Sequence, residues 1–509
     1  MWAVSITIGN PTTSLYRKSG QEITTKVTLR LRSGQAPQHG GAWREHGPRV
    51  RRLESECGKK RVARPWENRG TSRRSRHFQE RFSLQVSDGS GNSHGRPQAV
   101  GKCAATLSPV GGEEKLNMKN LTQFTQSAMV MLAVTTVFLV LGSHPASAGT
   151  ETILYSFGSQ SGDGSLPWSV PLMDKAGNLY GVTTNGGGFD GGTVFKVTPA
   201  GVETVLYSFG TQSSDGYFPG GKLVMDGKGN LYGTTNSGGT FNGGTVYKLA
   251  PDGTETTLYN FGNPGDGAFT QAGLVRDTKG NLYGVNEAGP DGCGTVFKVT
   301  RAGAETVLHT FGSQAGDGCL AGYGQLIMDK TGNLYGTTRK GGANNVGTVF
   351  KVTAAGVETV LYSFGSQSGD GNDPYGPLIM DKQGNLYGAT VGGGVNGDGT
   401  VYKVTPNGSE TVLFSFTNQP GDGNSPYGGL VMGKGGNLYG TTLNGGLGNG
   451  TVYKLTPAGV ESTVYSFGSQ SKDGSQVFMG LIKDKKGNLY GTAAAGGAFG
   501  QGAVFRVTP

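Results

Sequence analysis

Gly177-Asn178-Leu179-Tyr180-Gly181 is a phrase that the chain keeps returning to. Its Asn recurs at Asn178, Asn230, Asn281, Asn333, Asn385, Asn437 and Asn488, with gaps of 52, 51, 52, 52, 52 and 51 residues. Seven copies at so even a period are one supersecondary unit repeated. The second unit shows what that unit contains. Glu203-Thr204-Val205-Leu206-Tyr207-Ser208-Phe209 is rich in β-branched and aromatic residues and reads as a strand. A loop centred on Asp215-Gly216 follows, then Leu223-Val224-Met225-Asp226 as a second strand. Gly227-Lys228-Gly229 turns the chain tightly into Asn230–Thr235. A Gly-rich loop leads to Gly244–Leu249, and Pro251-Asp252-Gly253 turns into the next unit.

Four short strands with tight links form an antiparallel meander. Val, Phe, Leu and Tyr occur at both parities, so both faces of each sheet need cover. Stacking sheet on sheet around a ring supplies it without helices. The expected fold is therefore all-β, a seven-bladed β-propeller of four-stranded antiparallel sheets over residues 149–509. The strand phase adds a closure. Glu151–Phe157 is an outer-type strand, whereas Ala503–Val507 is third in its blade, so the N-terminal strand is expected to complete the last blade. The recurring second Gly of the phrase (Gly181, Gly233, Gly284) is expected to permit close approach between sheets.

Charge divides the chain. Residues 1–148 hold 22 Lys+Arg against 9 Asp+Glu, while the repeats carry a small acidic excess. The overall charge of +9 therefore belongs to the upstream segment and points to no nucleic-acid partner for the repeats. Residues 1–117 show no periodicity and are expected to be disordered, or an upstream extension foreign to the natural protein. Met118–Ala148 reads as a signal peptide: Lys119, the apolar run Ala128–Gly142, and an Ala-x-Ala site ending at Ala148. That run is short of the ~20 residues of a spanning helix. The expected compartment is secreted, periplasmic or cell-surface.

The motifs Thr193–Val197, Glu203–Phe209 and Gly229–Thr235 resemble the GloVer repeat of bacterial choice-of-anchor tandem repeat proteins, over all the residues from 149 onward. The resemblance implies an exported, propeller-like protein, secreted or surface-attached, with no assigned chemistry. No sorting tail follows Pro509, which favours free secretion or periplasmic residence over anchoring.

A meander sends alternate connections to opposite faces. The Asp-x-x-Gly-Asn and Thr-Pro-x-Gly turns fall on one; the Gly-rich and Asp-Gly loops fall on the other, which is where recognition is expected. Trp168, Tyr375, Tyr427 and Phe478 align there, with Tyr323 close to the same place and Gly220 and Gln271 breaking the set. They are either a stacking surface for sugar rings or loop packing on the inner strand. The recurrent Asp-Gly carboxylates are either turn residues or calcium ligands, with Asp370 and Asp373 the best local pair. Cys293 and Cys319 fall in neighbouring loops of one face and are a candidate disulfide. Among residues that break the repeat, His309 replaces a strand Tyr and reads as a packed or edge His. Arg276, Glu287, Asp291, Arg339, Lys340 and Asp398 read as solvated charges, with no catalytic set among them. The reading that results is a monomeric, non-catalytic exported propeller that binds a macromolecule or glycan, or scaffolds at the cell envelope, and needs no cofactor. The alternative is an extracellular carbohydrate hydrolase or lyase on the same scaffold.

Overall fold

A computed structural model describes residues 3–8, 29–34 and 149–509 apart from 213, 418 and 420. The expected signal peptide, 118–148, lies outside the described residues, as does most of 1–117. Within the latter, Ala3–Ile8 pairs antiparallel with Leu29–Gly34. The alternation Leu29-Arg30-Leu31-Arg32 is a strand signal that the basic composition of this segment conceals.

Residues 149–509 form seven antiparallel sheets of four or five strands, the blades of a β-propeller, here called I to VII in chain order, with short two-stranded ribbons beside blades IV to VII. Blade I runs Leu172–Met173, Leu179–Gly186, Thr193–Val197 and Glu203–Ser208 from inner to outer strand. Blade VII runs Ile482–Lys483, Leu489–Ala493 and Ala503–Thr508, and its outer strand is Thr150–Ser156. Thr150 pairs with Thr508 and Glu151 with Val507, so the strand phase closes the ring as expected. Among the described residues no helix is long and apolar enough to cross a membrane.

The repeated phrase has a separate reason at each position. Asp174 Oδ1 accepts the backbone N–H groups of Ala176 and Asn178; its Oδ2 accepts Asn178 Nδ2 at 2.7 Å and the Tyr180 hydroxyl at 3.2 Å. Gly177 turns there at φ 86°, a left-handed value that strains other residues. Leu179 is buried. A Cβ on Gly181 would sit 2.6 Å from Phe195 Cζ. Gly181 is the register partner of Phe195. The recurring Gly thus makes room for an aromatic ring of its own sheet, which corrects the expected sheet-to-sheet role.

The core lies between blades. Val182, Val194 and Phe209 of blade I pack on Leu223, Leu231 and Tyr247 of blade II. Phe157 and Val504 of blade VII pack on Leu179 and Phe195 of blade I in the same way. Each fully buried ring of this kind contributes roughly 2 kcal/mol. The inner strand departs from the expected simple meander. In blade I it is split into Gly164–Pro167 and Leu172–Met173, with the axis-facing position between the pieces. In blade II Gly220 and Gly221 let it run unbroken as Gly216–Met225.

Candidate functional site

The middle of each inner segment, where all but the blade II strand are interrupted, places one residue of each blade beside the propeller axis on the long-loop face. Five of these are the predicted aromatics, and the structure joins them into an arc. Ring centroids are 4.8 Å apart for Tyr323–Tyr375, 4.9 Å for Tyr375–Tyr427, 5.8 Å for Tyr427–Phe478 and 4.8 Å for Phe478–Trp168. Each ring is half-buried: the rings pack on one another and still present surface to the axial cavity.

Glu287, Arg339 and Asp373, distant in sequence, meet at the Tyr323 end of the arc. The Tyr323 hydroxyl donates to Glu287 Oε1 at 2.8 Å, and Gln271 Nε2 donates to Glu287 Oε2 at 3.3 Å. Burial and the Glu287 carboxylate push the Tyr323 hydroxyl up to about 12. Arg339 donates through Nε to Asp373 Oδ1 at 2.6 Å and through Nη2 to Oδ2 at 3.0 Å, a two-pronged pair. Its guanidinium lies 4.9 Å from the Tyr323 ring centroid and 5.0 Å from that of Tyr375. Solvated loop charge was the expectation for Glu287 and Arg339, and the geometry corrects it.

The arc opens at blades II and III, where Gly220 and Gln271 stand. A cavity of about 300 Å³ occupies the gap, bounded by Trp168, Leu166, Phe218, Asn236 and Gln271. The amide Nδ2 of Asn236 is buried there and has no partner among the described residues. Leu166 and Phe218 hold left-handed backbone, φ 53° and 57°, and are exposed. The equivalent residues Phe269, Leu320, Asp373, Ser425 and Gln476 share that conformation. It lets Leu166 N–H reach Gln501 O, and Phe218 N–H reach Gly191 O, in the preceding blade's loop. Left-handed backbone at a non-glycine residue carries a cost, and the repeat holds it at this position in all seven blades. Lys222 lies beside the axis two residues beyond Gly220, and burial draws its ammonium pKa down.

Asp370 and Asp373 both have hydrogen-bonding partners. Asp370 Oδ2 accepts the Tyr362 hydroxyl at 2.7 Å and Ser366 N–H at 3.1 Å, and its Oδ1 accepts Gly371 N–H at 2.8 Å. Asp373 is held by Arg339. Cys293 and Cys319 are joined, with S–S 2.03 Å and Cα–Cα 4.3 Å. The bond ties the Gly-rich loop of blade III to the crossover into blade IV. Leu320 N–H donates to Cys293 O, and Arg339 N–H to Leu320 O, so the tie lies directly under the Arg339 group.

A second ring of groups, less visible in the sequence, lies farther out. At each blade junction an outer-strand residue, the crossover Asp and the first Glu of the next outer strand face one another. Tyr155, Asp163 and Glu203 form one; Tyr465, Asp473 and Glu151 close the circle. Burial first, and then the facing Asp, push Glu203, Glu255, Glu305 and Glu410 up to about 7. The same causes take Glu461 to about 8; Glu151 reaches about 9 through burial, then a hydrogen bond to Asp473 and its charge.

A profile described as the Gloeobacter/Verrucomicrobia repeat matches residues 143–325 and again 321–509. No curated protein matches the sequence. Among solved structures, the extracellular domain of a one-component system from B. thetaiotaomicron is 11% identical at a TM-score of 0.47, over 70% of this chain and 40% of that one. The extracellular domain of a hybrid two-component system from the same organism gives 14% and 0.46, over 71% and 41%. A gluconolactonase from Xanthomonas campestris gives 15% and 0.35, over 69% and 99%. The chain thus spans about two fifths of the length of the first two structures.

Proposed function

The chain belongs to the Gloeobacter/Verrucomicrobia repeat family, and from that premise we propose that it is an exported binding propeller whose ligand is a neutral saccharide. The ligand enters the gap in the aromatic arc on the long-loop face. The observation that carries this reading is the gap itself. A cavity of about 300 Å³ has the Trp168 ring at one wall, apolar Leu166 and Phe218 at the rim, and amides from Asn236 and Gln271 for hydrogen bonds. An aromatic face with a few placed amides and no charged side chain in the lining suits a sugar ring, whose apolar face stacks and whose hydroxyls need uncharged partners. Asn236 Nδ2, buried without a partner, is a donor that a ligand hydroxyl would satisfy. Export rests on the segment 118–148.

The hydrolase or lyase alternative has no comparable support. Glu287 is held by Tyr323 and Gln271, and Asp373 by Arg339, so neither carboxylate is poised as an acid or base. A glycan array probed with the full chain, followed by titration of the hits, tests the proposal. Trp168→Ala and Asn236→Ala are expected to weaken binding by ten-fold or more, and Tyr427→Ala, across the arc, by less. Binding that survives Trp168→Ala, or no binding to any sugar, refutes the reading. Turnover of a bound sugar that is lost with Glu287→Gln would establish the enzyme in its place.

A further inference from the structure

We propose that His309, Asp317 and Glu358 bind a first-row divalent metal ion, zinc foremost, that clamps blade III to blade IV. His309 is the single histidine beyond residue 148. It stands on the outer strand of blade III where the other junctions have Tyr155, Tyr207, Tyr259, Tyr362, Phe414 and Tyr465. At those with Tyr, the hydroxyl donates to the crossover Asp, as from Tyr362 to Asp370 at 2.7 Å. A protonated phenol donates a hydrogen bond and binds metals poorly; a neutral imidazole is a metal ligand.

The geometry is suited to an ion. His309 Nε2 lies 3.1 Å from Asp317 Oδ2, and one ligand atom from each of the three residues lies within 4.8 Å of the others. Ligands around a tetrahedral zinc sit about 3.4 Å apart, so the carboxylate of Glu358 has little distance to close. Glu358 Oε1 is buried with no hydrogen-bond partner among the described residues. The corresponding oxygens of Glu203, Glu305, Glu410, Glu461 and Glu151 are likewise unpartnered, but no imidazole faces them. The other junctions therefore serve as controls built into the molecule.

Two further features hold the donors in place. Gly312 N–H and Gly318 N–H donate to Asp317 at 3.0 and 2.7 Å and orient its carboxylate. The Cys293–Cys319 bond fastens the crossover that carries Asp317; a Cβ on Gly312 would lie 3.2 Å from Cys293 Sγ. One nitrogen and two carboxylates match zinc or its neighbours. Calcium, which takes six to eight oxygens, and magnesium, which keeps its water, are poor matches.

The test uses the oxidised full chain titrated with zinc chloride by calorimetry, and with cobalt(II) followed by its visible absorption. One zinc is expected to depend on His309: His309→Tyr, which installs the residue used at other junctions, should weaken it about 100-fold and abolish the cobalt band. Glu358→Gln should weaken it about ten-fold. Melting without metal should be unchanged in His309→Tyr, and zinc should raise the melting temperature of the wild type alone. His309→Gln replaces the Tyr variant if that does not fold. The histidines before residue 149 are common to all variants, so the difference between wild type and variant is the readout. Equal zinc affinity and equal cobalt spectra in wild type and His309→Tyr, or no zinc bound by the wild type, overturn the proposal.

Discussion

The two faces of the propeller use the same repeat to opposite ends. On the tight-turn face, Asp174, Asp226, Asp277, Asp329, Asp381 and Asp484 each gather the Asn amide and Tyr hydroxyl of their own turn. One blade deviates: Gly433 stands in for the Asp, and Asn437 Nδ2 donates to Lys434 O instead. On the long-loop face the deviations are the rule, and they converge. Gly220, Gln271, Glu287, Arg339, Asp373 and His309 depart from the repeat: Glu287 meets Tyr323 of the next blade, Arg339 meets Asp373 on the next crossover and His309 meets Asp317, while Gln271 reaches Glu287 within blade III. Repetition thus marks the part that holds the ring together, and departure from it marks the part free to specialise.

Four measurements would break or sharpen that contrast. The largest effect is expected at the cysteines. Replacing both by Ser removes a tie closing 26 residues, worth about 3.5 kcal/mol in the chain-entropy model, and should also loosen sugar binding. Unfolding in denaturant and the titration above read both; unchanged values would show the loop face to be rigid without its tie. Next, Asp226→Ala orphans the Asn230 amide, the Tyr232 hydroxyl and two backbone N–H groups. The expected loss is about 2 kcal/mol, with ligand affinity untouched. A fall in affinity would mean that the two faces are coupled.

The pH profile of melting should separate the faces. Burial opposes ionisation of Asp226, yet the hydrogen bonds from Asn230, Lys228 N–H and Tyr232 hold its carboxyl down at about 2. The unfolded chain takes up that proton first, so stability present above about 4 is lost as the pH falls toward 2. The junction Glu residues run the other way. Folded Glu203 and Glu410 keep a proton up to about 7, and Glu151 up to about 9, that the unfolded chain releases near 4.5. Their contribution is complete below that value and is lost as the pH rises through the folded pKa. Melting should peak between about pH 4 and 5 and decline toward pH 9; Glu151→Gln should flatten the upper limb, and a flat profile from 5 to 9 would contradict the assignment. The smallest effect is a gain. Gly433→Asp restores the acceptor that blade VI lacks, but its Cβ would meet Tyr439 Cε2 at 2.6 Å, so the ring must shift first. The net gain, read by unfolding in denaturant, is expected to be about 0.5 kcal/mol, and a loss of stability would show that blade VI has repacked around its glycine.

Particular residues show how far the sequence reached. The seven phrases required seven like sheets, because Leu179 and Tyr180 and their counterparts need the same buried and hydrogen-bonded surroundings each time. The phase of Glu151–Phe157 against Ala503–Val507 required the chain ends to share a sheet. The aromatic column and its breaks at Gly220 and Gln271 were also legible, since equivalent positions can be aligned by counting. What counting cannot supply is distance across the ring. Glu287 and Tyr323, or Arg339 and Asp373, lie 36 and 34 residues apart and are neighbours only because closure bends adjacent blades around one axis. The same holds for Glu358 beside His309 and for Asn236 beside Trp168. Local hydrogen bonds and side-chain periodicity fix a repeat within its own fifty residues. The angle between repeats, and hence every contact from one to the next, is set by how the buried rings of adjoining sheets pack.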